Sequence, residues 1–235
     1  MDCRCDGSGK IQKGYGQDAH GQFEIKYDYC TCPPSEEARI KDSLVAANLH
    51  RFQYEGFIEA LKLPKRFRNI TLESHPNQSA VSMVSDWHPN DIHCGLFLMG
   101  NYGTGKTGLA VGLLKKLIEA QPQAGLFVTA PDLLDQIRQT YNHESVALMD
   151  PLERAKRVPI LLVDDLGVEK PSPWVQEKFY TLINHRHGEE MTTIFTSNLS
   201  LEQVAEQLGE RTSWRLVEMC RVVLVKGQNL RAVAS

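Results

Sequence analysis

Eight residues, Gly100-Asn101-Tyr102-Gly103-Thr104-Gly105-Lys106-Thr107, match the pattern G-x-x-x-x-G-K-[ST], and no other stretch limits the fold so tightly. An apolar run, Leu96-Phe97-Leu98-Met99, precedes it, and a helical pattern begins at Gly108-Leu109-Ala110. A strand, a glycine-rich loop and a helix in that order make a phosphate-binding loop. Glycines let backbone N–H groups close around β- and γ-phosphates. Lys106 adds a positive charge, and the Thr107 hydroxyl suits Mg²⁺. Residues Gly100 to Gly108 are therefore the expected seat of a nucleoside triphosphate, ATP or GTP.

Beyond Cys94, short apolar runs alternate with helical patterns. Strands are expected at 96–99, 126–129, 160–164, 193–196 and 222–225, and helices at about 106–120, 131–141, 173–187 and 201–208. Such alternation predicts an α/β domain whose parallel sheet is covered on both faces, with ligand at the carboxyl ends of the strands. Ile160-Leu161-Leu162-Val163 ends in Asp164 and Asp165. After a phosphate-binding loop, Asp164 is placed to hold Mg²⁺ and Asp165 to polarise an attacking water. Thr196-Ser197-Asn198 closes the next strand, where Asn198 either senses the γ-phosphate or caps the following helix. Arg211 and Arg215 stand four apart, on one helix face. They either reach the γ-phosphate of a neighbouring subunit or form a solvated pair with Glu210 or Glu218.

The first third of the chain reads differently. Cys3, Cys5, Cys30 and Cys32 form two tight pairs around a segment that alternates like a small hairpin. Four thiolates can hold one structural Zn²⁺, with His20 as a possible substitute, and so few apolar groups need a metal to fold. The alternative is free thiols on a frayed end. Cys94 and Cys220 stand beside apolar strands as core thiols. A helix is expected from Ser35, as N-cap, to about Ala60, followed by Leu63-Pro64-Lys65-Arg66-Phe67-Arg68-Asn69 in extended form and a short helix near 80–87. The expected division is a cysteine-rich module over 1–34, a helical partner-binding segment or linker over 35–62, whose apolar positions either face a partner or pack within the protein itself, and a nucleotide domain over 63–235. Net charge is −3, so contact with nucleic acid must rest on local patches. No run approaches the roughly 18 apolar residues of a membrane span, and the first residues lack the character of a signal peptide, so a cytoplasmic protein with no membrane contact is expected.

With these residues in hand, the chain resembles the replicative-helicase loaders of the AAA+ superfamily, the DnaC and DnaI type, and the similar IstB-type transposition ATPases. The likeness rests on the Cys3 to Cys32 module, Leu63 to Thr71, Gly100 to Thr107, Val128 to Leu134, Asp164-Asp165-Leu166-Gly167, Thr196-Ser197-Asn198-Leu199 and Gly209 to Arg215. The resemblance implies an AAA+ P-loop ATPase with a five-stranded parallel sheet, preceded by a small zinc-ribbon-like module. It implies an ATP site of Lys106, Thr107, Asp164 and Asp165, Asn198 as sensor, and Arg215 as the arginine finger with Arg211 beside it. Partners implied are the hexameric replicative DNA helicase, gripped by the N-terminal part, single-stranded DNA and further copies of the chain. Tyr141 and Trp174 fall at aromatic positions on the implied DNA face, where each either stacks on a base or packs on its own helix. The sequence departs from the family pattern in three ways. Asp165 stands where many AAA+ proteins have Glu, the first cysteine pair is C-x-C, and the chain ends soon after the fifth strand, which predicts an absent or minimal helical lid. Rival readings are a transposition helper on duplex DNA, a zinc-ribbon binding protein whose nucleotide site turns over negligibly, and, remotely, a P-loop nucleotide kinase.

Overall fold

Two compact units, Met1–Gln53 and Tyr54–Ser235, divide the chain in the computed structural model, and the division falls inside a long helix. The structure describes residues 10–17, 23–29, 33–89, 93–142 and 150–230. Cys3, Cys5, Cys30, Cys32 and His20 lie outside these residues.

The expected hairpin is present in the first unit. Strands β1 (Lys10–Gln17) and β2 (Phe23–Tyr29) pair antiparallel, with an irregularity between Gln12 and Gly14. Helix α1 (Pro33–Ala60) follows, and Lys10 pairs with Asp42 on it at 2.6 Å. The helix starts two residues earlier than expected, because proline is tolerated in a first turn that has no intrahelical use for its N–H. Ser35 therefore lies within the helix and is not its N-cap. Ile40, Leu44, Val45 and Leu49 on α1 are all more than half exposed.

The second unit is built around five parallel strands: β3 (Gly95–Met99), β4 (Gly125–Thr129), β5 (Ile160–Asp164), β6 (Thr193–Ser197) and β7 (Cys220–Leu224). Their order across the sheet is β4-β5-β6-β3-β7. Successive residues of a strand point to opposite faces, and the core follows that period. Phe97, Leu161, Val163 and Phe195 enter one apolar layer, and Leu96, Leu98, Leu162 and Ile194 enter the other. The first layer packs beneath α4 (Ala130–Asn142), α5 (Pro151–Arg157), α6 (Pro173–Gly188), α7 (Leu201–Leu208) and α8 (Glu210–Met219). The second lies beneath α2 (Gln78–Val84), α3 (Lys106–Ala120) and the segment carrying Leu61, Leu63 and Leu72, and the end of α1 adds Tyr54, Phe57 and Ile58.

Some boundaries differ from expectation for local reasons. α2 starts at Gln78 because Asn77 caps it, accepting from the Ala80 N–H, and it stops at Val84, before the buried Trp87. β7 begins at Cys220, directly from the end of α8 and two residues early. α5 was not expected. Seven residues are too few for a helical period to show, although Asp150 accepting from the Leu152 N–H and Pro151 in the first turn are ordinary start signals. Cys220 is buried and Cys94 half-buried. No helix among the described residues is long and apolar enough to cross a membrane.

Candidate active site

The sheet order leaves β3 between β6 and β7, while the chain leaves β3 for β4 at the far edge. A crevice opens at that reversal, outside the strand ends, and the candidate site occupies it. Lys106 and Thr107 come from the first turn of α3, and Asp164, Asp165 and Asn198 from the end of a strand or the residue just after one. Gly103 and Gly105 have φ of 80° and 91°, which side chains adopt at a cost. A Cβ on Gly105 would meet the His75 ring at 2.8 Å, and one on Gly103 would meet Asn229 at 2.0 Å. Gly105 is the N-cap of α3, and no side chain of the described residues caps it. That helix start keeps backbone donors and the positive end of the helix dipole available to an anion.

Lys106 is 5% exposed. Its ammonium donates to Gly100 O, Asn101 O and Asn198 Oδ1, each at 2.8 Å. The other end of the same amide, Asn198 Nδ2, donates to Asp165 Oδ1 at 3.3 Å. Beneath this chain lies Asp164, whose Oδ1 accepts from the Thr107 hydroxyl at 2.8 Å and the Thr196 hydroxyl at 2.6 Å. Burial pushes the Asp164 carboxyl above its ordinary range and the neighbouring Asp165 charge adds to this, while the two hydroxyls oppose it. Asp165 has φ of 57°, a left-handed backbone uncommon outside glycine. Thr196 fixes it, accepting from the Asp165 N–H at 3.0 Å and from the Leu166 N–H through its carbonyl at 2.8 Å. Strain of about 1 to 3 kcal/mol, held by the surrounding structure, is common at functional positions.

Lys106, Thr107, Asp165 and Asn198 line a cleft of about 420 Å³, with Asp164 buried behind Thr107. Those four form its polar side, and Phe67, Ile70, Val168 and Leu230 its apolar side. Arg66 and His75 also face it, and the Arg66 guanidinium lies 4.6 Å from the Phe67 ring centre. The donor set fits a magnesium nucleotide: hard oxygens at Thr107, Asp164 and Asp165, and an uncapped helix start for the phosphates. Asn198 does not cap α7, since Ser200 does so in a reciprocal capping box with Gln203.

Arg211 and Arg215 lie on α8, and neither lines the cleft of its own chain. Arg211 is exposed, and Arg215 pairs with Glu218 at 2.7 Å. Tyr141, near the end of α4, is exposed; Trp174, on the first turn of α6, packs partly into the core. The Arg138 guanidinium lies 4.7 Å from the Trp174 ring centre, and Lys178 bonds with Glu177 and Tyr141.

The profile of the IstB-like ATP binding proteins matches residues 60–235. The chain belongs to that family. Within it, similarity to replication proteins is evident. The replicative helicase loader DnaI of Bacillus subtilis (strain 168) is 25% identical over 143 residues, which are 58% of this chain and 45% of DnaI. The replicative helicase loader DnaC of Escherichia coli (strain K12) is 23% identical over 152 residues, 64% of this chain and 62% of DnaC. The crystal structure of the DnaC helicase loader superposes with a TM-score of 0.60 at 27% identity, covering 69% of this chain and all of that one. The matched region thus spans from under half to under two thirds of these loaders' own sequences.

For this IstB-like chain, sequence reasoning gave no site role to Arg66, Phe67, Ile70, His75, Val168 or Leu230. The segment 63–71 stood out as a motif without a task. Its placement depends on long-range packing that no local pattern encodes. His75, buried in the fold, carries no local sequence signal of its role. Its Nδ1 accepts from the Asn77 N–H at 3.2 Å, which leaves Nε2 to donate to Gly105 O at 3.0 Å.

Proposed function

We propose that the protein is an ATP-dependent loader that binds a replicative DNA helicase and helps place it on single-stranded DNA. The observation that carries this reading is the hydrogen-bonded path from Lys106 through Asn198 to Asp165, in a fold similar to that of helicase loaders. It links the groups that meet the γ-phosphate with the group that meets water. Loop amides from Gly100 to Gly108 and Lys106 hold the β- and γ-phosphates, and Thr107 and Asp164 would hold Mg²⁺, which would screen phosphate charge. Asp165 orients the attacking water and accepts its proton on a carboxylate oxygen, while Asn198 keeps that carboxylate and Lys106 in register. Arg215, with Arg211 beside it, reaches the γ-phosphate of an adjoining copy. Neither lines the cleft of its own chain, which supports action between copies and makes hydrolysis depend on assembly.

DNA lies along α4 and α6. Tyr141 and Trp174 offer rings there, and Arg138 and Lys178 supply charge for the backbone. The helicase is held by residues 1–34 and 35–62, and ATP by the domain over 63–235. Cys3, Cys5, Cys30 and Cys32 would supply thiolates to a structural Zn²⁺, and the exposed Ile40, Leu44, Val45 and Leu49 offer apolar contact.

Phosphate release from ATP, measured with and without single-stranded DNA and a replicative helicase, tests the reading alongside helicase delivery to DNA. Turnover that responds to both, and a Lys106→Ala protein that fails in delivery, are expected. Normal delivery by Lys106→Ala contradicts the mechanism. Assembly on duplex DNA without any helicase contact turns the assignment to a transposition helper.

A further inference from the structure

Along one side of α3 lie Gly108, Gly112 and Lys115, spaced so that they share a face. A Cβ on Gly108 would come 2.7 Å from Ile70 Cδ1, and one on Gly112 would come 2.9 Å from the Leu72 backbone nitrogen and 3.0 Å from the Thr71 carbonyl carbon. The chain from Ile70 to Leu72 therefore lies directly on the helix, in a track that glycine leaves open. Lys115 continues the face one turn on. It is 6% exposed, and its ammonium donates to Phe67 O at 3.3 Å, to Ile70 O at 3.1 Å and to Arg68 O. All three acceptors belong to one turn, Phe67 to Ile70.

A buried ammonium is costly unless its donors are met, so this cation holds the turn in the one position where three carbonyls converge on it. The turn is also a wall of the cleft, through Arg66, Phe67 and Ile70. The phosphate-binding groups are not on that turn: they stand on the loop after β3 and the first turn of α3, at the end of β5 and just after β6. Two parts of one ligand thus meet two different surfaces, the Phe67–Ile70 turn and the start of α3.

We infer that Lys115 is a positioning residue for ATP: by fixing the Phe67–Ile70 turn from the far side, it sets the wall against which the nucleoside lies, without touching the nucleotide. The inference rests on the ATP site proposed above.

Inorganic tripolyphosphate provides the test, because it occupies the phosphate loop and has no nucleoside. Dissociation constants for ATP and for tripolyphosphate, both with magnesium, are measured on the full chain as wild type, Lys115→Met, Lys115→Arg and Gly112→Ala. Lys115→Met should weaken ATP about tenfold and leave tripolyphosphate unchanged. Gly112→Ala, which pushes Thr71 and Leu72 just after that turn, should show the same selective loss. Lys115→Arg keeps the charge, but its planar fork matches three converging carbonyls poorly, so an intermediate loss is expected. If Lys115→Met does not fold, the other two variants carry the comparison. Equal ATP affinity in variants and wild type overturns the inference. So does a loss shared in proportion by ATP and tripolyphosphate, the mark of general destabilisation. Wild-type protein that binds neither ligand refutes the ATP site itself, and the inference with it.

Discussion

The Lys106 ammonium lies 2.8 Å from Asn198 Oδ1, so the cation of the phosphate loop and the amide at the end of β6 form one unit. Asn198 also donates to Asp165. Replacing it with alanine cuts the link while leaving the loop amides and α3 intact. Asn198→Ala is expected to lower turnover about 100-fold with ATP affinity little changed, as read by steady-state phosphate release beside equilibrium binding.

Asp164 makes function and stability oppose each other. Burial and the Asp165 charge raise its carboxyl pKa, so the folded protein without ligand holds a proton more tightly than the unfolded chain. Its contribution to stability is full below the ordinary aspartate range and is lost as pH rises through the raised value. Magnesium nucleotide needs the carboxylate, so binding strengthens over the same window. Asp164→Asn removes the buried charge and keeps an acceptor for Thr107 and Thr196. Relief of about 1 kcal/mol corresponds to a Tm rise of about 2 to 4 °C in ligand-free protein, with hydrolysis abolished and a flatter dependence of Tm on pH. Calorimetry across acidic to neutral pH checks the sign.

At Asp165 the left-handed backbone suits asparagine as well as aspartate. Asp165→Asn should therefore fold normally and bind ATP, yet lose turnover by about 10² to 10⁴. A variant with near-normal turnover would remove Asp165 from the reaction.

Arginine supplied by a neighbour makes complementation possible. Arg215→Ala lacks the finger but has a sound cleft, and Asp165→Asn has the finger but a disabled cleft. Each alone is expected to be nearly inactive, with Arg215→Ala down about 10³-fold. Their mixture should recover a fraction of wild-type turnover, in a concentration-dependent way. No recovery over a wide range of ratios would place Arg215 outside the reaction.

What could be read from the sequence was whatever local rules determine. The loop at Gly100 to Thr107 declares itself because its backbone needs glycine and its ligand needs Lys106 and Thr107, and the period of apolar residues marks the strands down to the carboxylates closing β5. What stayed hidden depends on contacts remote in sequence. Lys115 meets carbonyls 45 to 48 residues away. Arg186, fully buried, donates to carbonyls of Ala155, Lys156, Val158, Pro159 and Thr192 as well as to the Thr193 hydroxyl, and nothing near it in sequence announces a buried guanidinium. The Arg215–Glu218 pair, three residues apart on α8, is by contrast local and was among the alternatives the sequence offered.

The most direct test is a calorimetric titration of ATP, with magnesium, into wild type and Lys106→Ala. Saturable binding by wild type, lost in the variant and dependent on the metal, is the predicted result. Wild-type protein that takes up no ATP, alone or mixed with a replicative helicase, would contradict the assignment of this cleft.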